Sequence, residues 1–175
     1  MNVLIKILVA VVMITLTLAG SAGQIGSAQA TAYNVMEDPE VLSFFYDLHY
    51  RVQAEIERKR GADPAAMIAF RDAALRYFGL GSADFDAITP VARQVATGLQ
   101  VFDQEAVAHR DAAYAARRGV DVQILTRIHE RRNAALVQWA RDMEKGLSPE
   151  GRQAVRRRLL ELKAKIQRVP LEVRK

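Results

Sequence analysis

Apolar residues recur at helical spacing through most of the chain. Leu42, Phe45, His49, Val52 and Ile56 form one stripe and predict a first helix over about 39–59. Met67, Ile68, Leu75 and Phe78 predict a second over about 64–78. The third is long: Val91, Val95, Leu99, Phe102, Ala106 and Ala113 place it from Thr89-Pro90 to about Arg118, after a short turn at 83–88. At 1.5 Å per residue it spans about 43 Å, more than a compact core of this size needs. One end is therefore expected to project or bend, with Pro90 as the bend. Leu125, Ile128, Arg132, Leu136, Trp139 and Met143 predict a fourth helix over about 122–145. Val155, Leu159, Leu162, Ile166 and Val169 predict a fifth over about 149–169, stopped by Pro170.

One joint recurs between these stripes. It appears as Gly61-Ala62-Asp63-Pro64, Gly79-Leu80-Gly81-Ser82, Gly119-Val120-Asp121 and Gly146-Leu147-Ser148-Pro149. Each glycine is expected to take the left-handed residue that closes a helix. The Asp or Ser then caps the next one, and proline suits its first turn. Asp38-Pro39 opens the first helix in the same way. Five helices joined by short loops predict an all-α antiparallel helical bundle, a single domain over 31–170, with 171–175 as a C-terminal tail.

The first thirty residues differ. Lys6 stands beside the apolar run 7–19, and small residues lead to Ala28-Gln29-Ala30. That order is the one found in a secretory signal peptide, so residues 1–30 are set apart from the fold and the protein is expected in the periplasm or secreted. The alternative is an uncleaved anchor in the inner membrane over residues 3–20. The absence of cysteine excludes disulfides, thiolate catalysis and cysteine-ligated metal.

Charge is unevenly placed. The chain carries a net +5, yet residues 148–175 alone carry nine Lys/Arg against three acids, a net +6, and residues 31–147 a net −2. A mildly acidic body thus bears a basic last helix. Arg152, Arg156, Arg157, Arg158 and Lys163 are its candidate contacts for an anionic partner, either an acidic protein or an anionic membrane surface. On a helical wheel they bracket the Val155/Leu159 stripe on both flanks, with Arg157 pointing away. That pattern is also the one of a solvated helix docked on an acidic body, its basic heads in water. The basic segment has no aromatic residue to stack on a base, which argues against nucleic acid.

Catalytic constellations are sparse. Ser21 and Ser27 lie in the N-terminal segment, Ser82 and Ser148 read as helix caps, and Ser43 has no glycine elbow around it. No glycine-rich phosphate loop occurs. His49, His109 and His129 fall on three different helices and are the candidate metal ligands. Their spacing lacks the paired Glu-x-x-His of di-iron bundles and the second histidine of zinc-protease helices. His49 lies on an apolar stripe and reads as a core histidine with a polar partner. No catalytic residue and no cofactor is assigned.

Leu147-Ser148-Pro149-Glu150 followed by Arg152 resembles the Leu-Thr-x-x-Gln element of Spy-like periplasmic stress chaperones, with Gly151 where the glutamine would stand. That resemblance implies an all-helical, non-enzymatic protein with unfolded or stress-related clients. The layout Phe44-Phe45, Phe70-Arg71, Tyr77-Phe78-Gly79-Leu80 and a long alanine-rich helix looks like uncharacterised small secreted all-helical bacterial proteins. The expectation is an exported helical binding or scaffold protein, chaperone-like in character. The alternatives are a metal-binding helical protein using His49, His109 and His129, and a membrane-tethered accessory subunit.

Overall fold

The computed structural model describes residues 33–166. The expectations for the signal segment, for the stop at Pro170 and for the 171–175 tail lie outside the described residues. After a short 3-10 turn at Val35–Glu37, five α-helices follow: α1 Pro39–Ala62, α2 Pro64–Phe78, α3 Ser82–Ala115, α4 Val122–Gly146 and α5 Pro149–Ile166. The fold is an all-α helical bundle with no strand among the described residues.

The local chemistry explains most of the boundaries. Asp38 accepts from the amides of Glu40 and Val41 at 3.1 and 3.3 Å, Asp63 from Ala66 at 3.0 Å, and Asp121 from Gln123 and Ile124 at 2.9 and 3.3 Å. Ser148 Oγ accepts from the Gly151 amide at 2.9 Å and caps α5. Each such cap contributes about 1 kcal/mol. The capping residue of α3 is Gly81, which has no side chain, rather than Ser82.

The glycine expectation holds at one joint. Gly79 takes the left-handed conformation (φ 68°) and closes α2. Gly61 and Gly146 lie inside the last turns of α1 and α4. At the third joint α3 ends ahead of Gly119, and Arg117 takes the left-handed position (φ 51°). The Arg118 amide then donates to the Ala113 carbonyl at 3.0 Å, closing the helix without a glycine.

The expected turn at 83–88 is also corrected: α3 runs unbroken from Ser82 through Pro90. Pro90 has no N–H for the Asp86 carbonyl, a cost of about 3 kcal/mol in a helix interior. Phe85 and Ile88 are both fully buried. Burying two such side chains returns about 1.5–3 kcal/mol each, enough to hold the first turns helical. Pro90 and Asp86 face solvent, where water can serve the freed carbonyl.

The core gathers on α1. Val41, Leu42, Phe45, Tyr46 and Ile56 are fully buried and meet Phe78, Phe85, Leu136, Val155 and Leu159 from the other four helices. Two close approaches fix how the helices meet. A Cβ on Gly98 of α3 would lie 2.6 Å from the Trp139 ring of α4, so the indole occupies the place of a side chain. A Cβ on Gly151 of α5 would lie 2.4 Å from the carboxyl carbon of Asp84 in the first turn of α3. That carboxylate accepts from the Ser148 amide and hydroxyl, both at 2.8 Å, and so clasps the α4–α5 joint to the start of α3.

Gly98 thereby yields a test. Alanine is the better helix former by about 1 kcal/mol. Gly98→Ala is nevertheless expected to lower stability by about 1–3 kcal/mol, because the rigid indole must move. Urea denaturation of the variant measures this.

Candidate functional site

α3 and α4 outrun the core. The buried cluster takes α3 as far as Leu99, with Phe102 packed against it, and α4 from Leu136 onward. At 34 residues α3 is about 51 Å long. Its far half and the first half of α4 form a two-helix arm, joined by the 116–121 loop. The projecting end anticipated from the length of the third helix is this arm.

The arm is fastened mainly across its own seam. Ala113 and Ile128 are buried there, outside the main core cluster. Arg131 pairs with Glu105 on one flank, and its guanidinium also lies over the Phe102 ring, 5.9 Å from the centroid. Arg132 approaches Asp103 on the other flank at 3.7 Å and reaches Ser43 of α1 at 3.5 Å. These flanking pairs sit in water and each contributes at most about 1 kcal/mol.

Four large apolar side chains are exposed on the outer surface of the arm. Val107 is 44% and Tyr114 65% exposed. They are seven residues apart, so at 100° per residue they lie about 20° from each other on the wheel, on the Asp103 flank. Val101 and Val122 are also exposed. On the Glu105 flank a shallow groove runs between the helices, lined by Glu105, Ile124, Arg127, Ile128, Glu130 and Arg131. A second depression, lined by Val122, Gln123, Thr126, Arg127 and Glu130, continues it toward the tip. None of this was expected from the sequence beyond helix length.

The basic helix turns out to be largely committed within the molecule. Arg158, expected to keep its head in water, is buried. Its guanidinium stacks on the Tyr77 ring at 3.7 Å and bonds Glu161 at 2.6 Å. Tyr77 at the end of α2 covers the flank that the wheel left open. Lys163 bridges Asp38 at 3.0 Å and Glu40 at 3.3 Å, tying α5 to the first turn of α1. The hydrogen bond to Asp38 holds the Lys163 pKa above its ordinary value. Burial works to raise the pKa of Asp38, but its bonds from Tyr33 and Lys163 outweigh that and lower it. Arg152 is half-buried and reaches the Glu144 carbonyl at 3.4 Å. Arg156 and Arg157 remain exposed. Of the five candidate anion contacts, these two are the ones left facing solvent. The flank they share carries Leu160, itself half exposed.

The three histidines are not gathered. His49 is fully buried, with its ring centroid 4.4 Å from that of Phe85 and 5.5 Å from that of Phe78. His109 is half-buried on the arm, and His129 is exposed and within 3.0 Å of the Asn133 amide. Among the described residues no three His, Asp or Glu side chains stand close enough to share a metal ion. Nor is any described helix long and apolar enough to cross a membrane.

No protein-family model, curated protein or solved structure matches this chain.

His49 carries a pH dependence. Its Nε2–H donates to the Phe85 carbonyl at 3.2 Å, while Nδ1 is buried without a partner. Burial pushes its pKa down to about 4, against the opposing pull of the Phe85 carbonyl and Asp86. The folded state therefore binds fewer protons than the unfolded state between pH 6.5 and 4. The contribution is fully present above pH 6.5 and is lost as pH falls toward 4, on the order of 3 kcal/mol in total. Urea midpoints measured at pH 7.5 and 5 should fall with acid in the native protein. The fall should be smaller in His49→Phe, which cannot titrate.

Proposed function

We propose that this chain is an exported, non-enzymatic binding protein of chaperone-like character, and that it engages apolar segments of non-native protein chains with the α3–α4 arm. The observation that carries the reading is the exposed Val107/Tyr114 flank. These two apolar side chains lie two turns apart on one face of α3, beyond the core, on a surface that no other described helix covers. Tyrosine suits such a role because it adds a large apolar area with few rotatable bonds and a polar tip. Arg110 and Asp111 beside it keep the flank soluble between encounters.

The resemblance of Leu147-Ser148-Pro149-Glu150 to the chaperone element supports the reading in its general character. Its local role here is structural: Ser148 starts a helix, and Gly151 makes room for Asp84. Client contact is assigned to the arm instead. Export rests on the charge and apolar order of residues 1–30.

The protein purified as its host exports it should suppress aggregation of a reduced, unfolding client at near-stoichiometric ratio. The variant Val107→Asp/Tyr114→Asp should lose most of that suppression while its helical signal and melting point stay unchanged. No suppression by the native protein at any salt concentration would sink the chaperone reading. Full suppression by the double variant would move the contact away from this flank.

A further inference from the structure

The corner where α5 passes the end of α2 gathers arginines. Arg76 lies in the last turn of α2, and Arg156 and Arg157 lie on the outer face of α5. All three are exposed, and none has an ion-pair partner among the described residues. A Cβ on Gly79 would lie 2.9 Å from Arg157 Nη2, so this guanidinium rests where the residue closing α2 has no side chain. Arg158 is buried, its side chain 9% exposed, and Glu161 takes its Nη1. Its Nε and Nη2 are buried without a hydrogen-bond partner. So is the hydroxyl of Tyr77, on whose ring the guanidinium stacks.

Nε and Nη2 form one edge of a guanidinium, the fork that receives two oxygens of an oxyanion side by side. The guanidinium keeps its charge at any working pH, and buried donors left unmade carry their full desolvation cost. We propose that this corner binds a phosphate-class oxyanion. Two of its oxygens sit on the Arg158 fork and a third accepts from the Tyr77 hydroxyl. Arg76, Arg156 and Arg157 draw it in and balance its charge. A water on the fork would serve the same two nitrogens but leave the surplus positive charge of the corner unbalanced. The fork and the phenol oxygen are closed to solvent, so the surrounding side chains shift as the anion enters. The oxyanion comes either as free phosphate or as the headgroup of an anionic lipid. The corner belongs to the body and not to the arm, so the inference stands independently of the client reading.

The test has two arms, both on the protein as exported: titration with inorganic phosphate, and flotation with phosphatidylglycerol or phosphatidylcholine vesicles. Inorganic phosphate at about 10 mM should raise the melting point by about 2–6 °C over chloride of equal ionic strength. A site for headgroups alone should instead carry the protein up with the anionic vesicles and not with the neutral ones. Arg158→Lys keeps the charge but loses the fork, and should weaken binding at least about tenfold. Tyr77→Phe removes only a hydroxyl and should weaken it about threefold to tenfold; it decides the matter if Arg158→Lys fails to fold. Arg157→Ala should weaken it as well, whereas Arg127→Ala, an exposed arginine of the arm, should bind as the native protein does. No binding in either arm would overturn the proposal. So would native binding by Tyr77→Phe and Arg157→Ala, or an equal loss in Arg127→Ala.

Discussion

Everything distinctive in this molecule depends on how closely α3 and α4 approach at Gly98 and Trp139. Two helices that run past their core lose the shared hydrophobic interior that holds most bundles together. They must be locked in register at the point where they leave it. Gly98 lets the indole lie against the α3 backbone, and Leu99 and Leu136 bury beside it. From that point outward the seam has few buried residues, and the flanking ion pairs add little in water. The arm is therefore the least stabilised part of the described structure. It also carries uncovered apolar side chains, Val101, Val107, Tyr114 and Val122.

The body is over-determined by comparison. The aromatic group around His49, the Asp84 clasp on Ser148 and the Lys163 bridge to Asp38 and Glu40 hold the five helices from different directions. That contrast gives the functional reading its physical sense. A rigid base presents two helices whose outer faces are available to other chains. Elements that change partners are drawn from the less stable parts of a fold.

The helices were legible because burial writes a stripe at helical spacing. Leu42, Phe45, His49, Val52 and Ile56 all proved buried. The aspartate caps and the joint at Ser148 were legible for the same local reason. What escaped was set by contacts distant in sequence. Pro90 read as a helix start, since nothing nearby shows that Phe85 and Ile88 would hold the turns ahead of it. Gly98 carried no signal and Gly151 read as a motif departure, although each is the footprint of a side chain from another helix. Arg158 read as a solvated flank because Tyr77 lies far off in sequence. Of the arm, only its length was visible; the exposed Val107/Tyr114 flank and the rim charges required the α3–α4 pairing to be known.

Amide hydrogen exchange tests the central claim, that the arm is held more weakly than the body from which it projects. The account predicts slow exchange for the body segments of α1 and α3 up to Leu99. Residues 103–115 and 122–135 should exchange faster. An arm as slow to exchange as the body would contradict it.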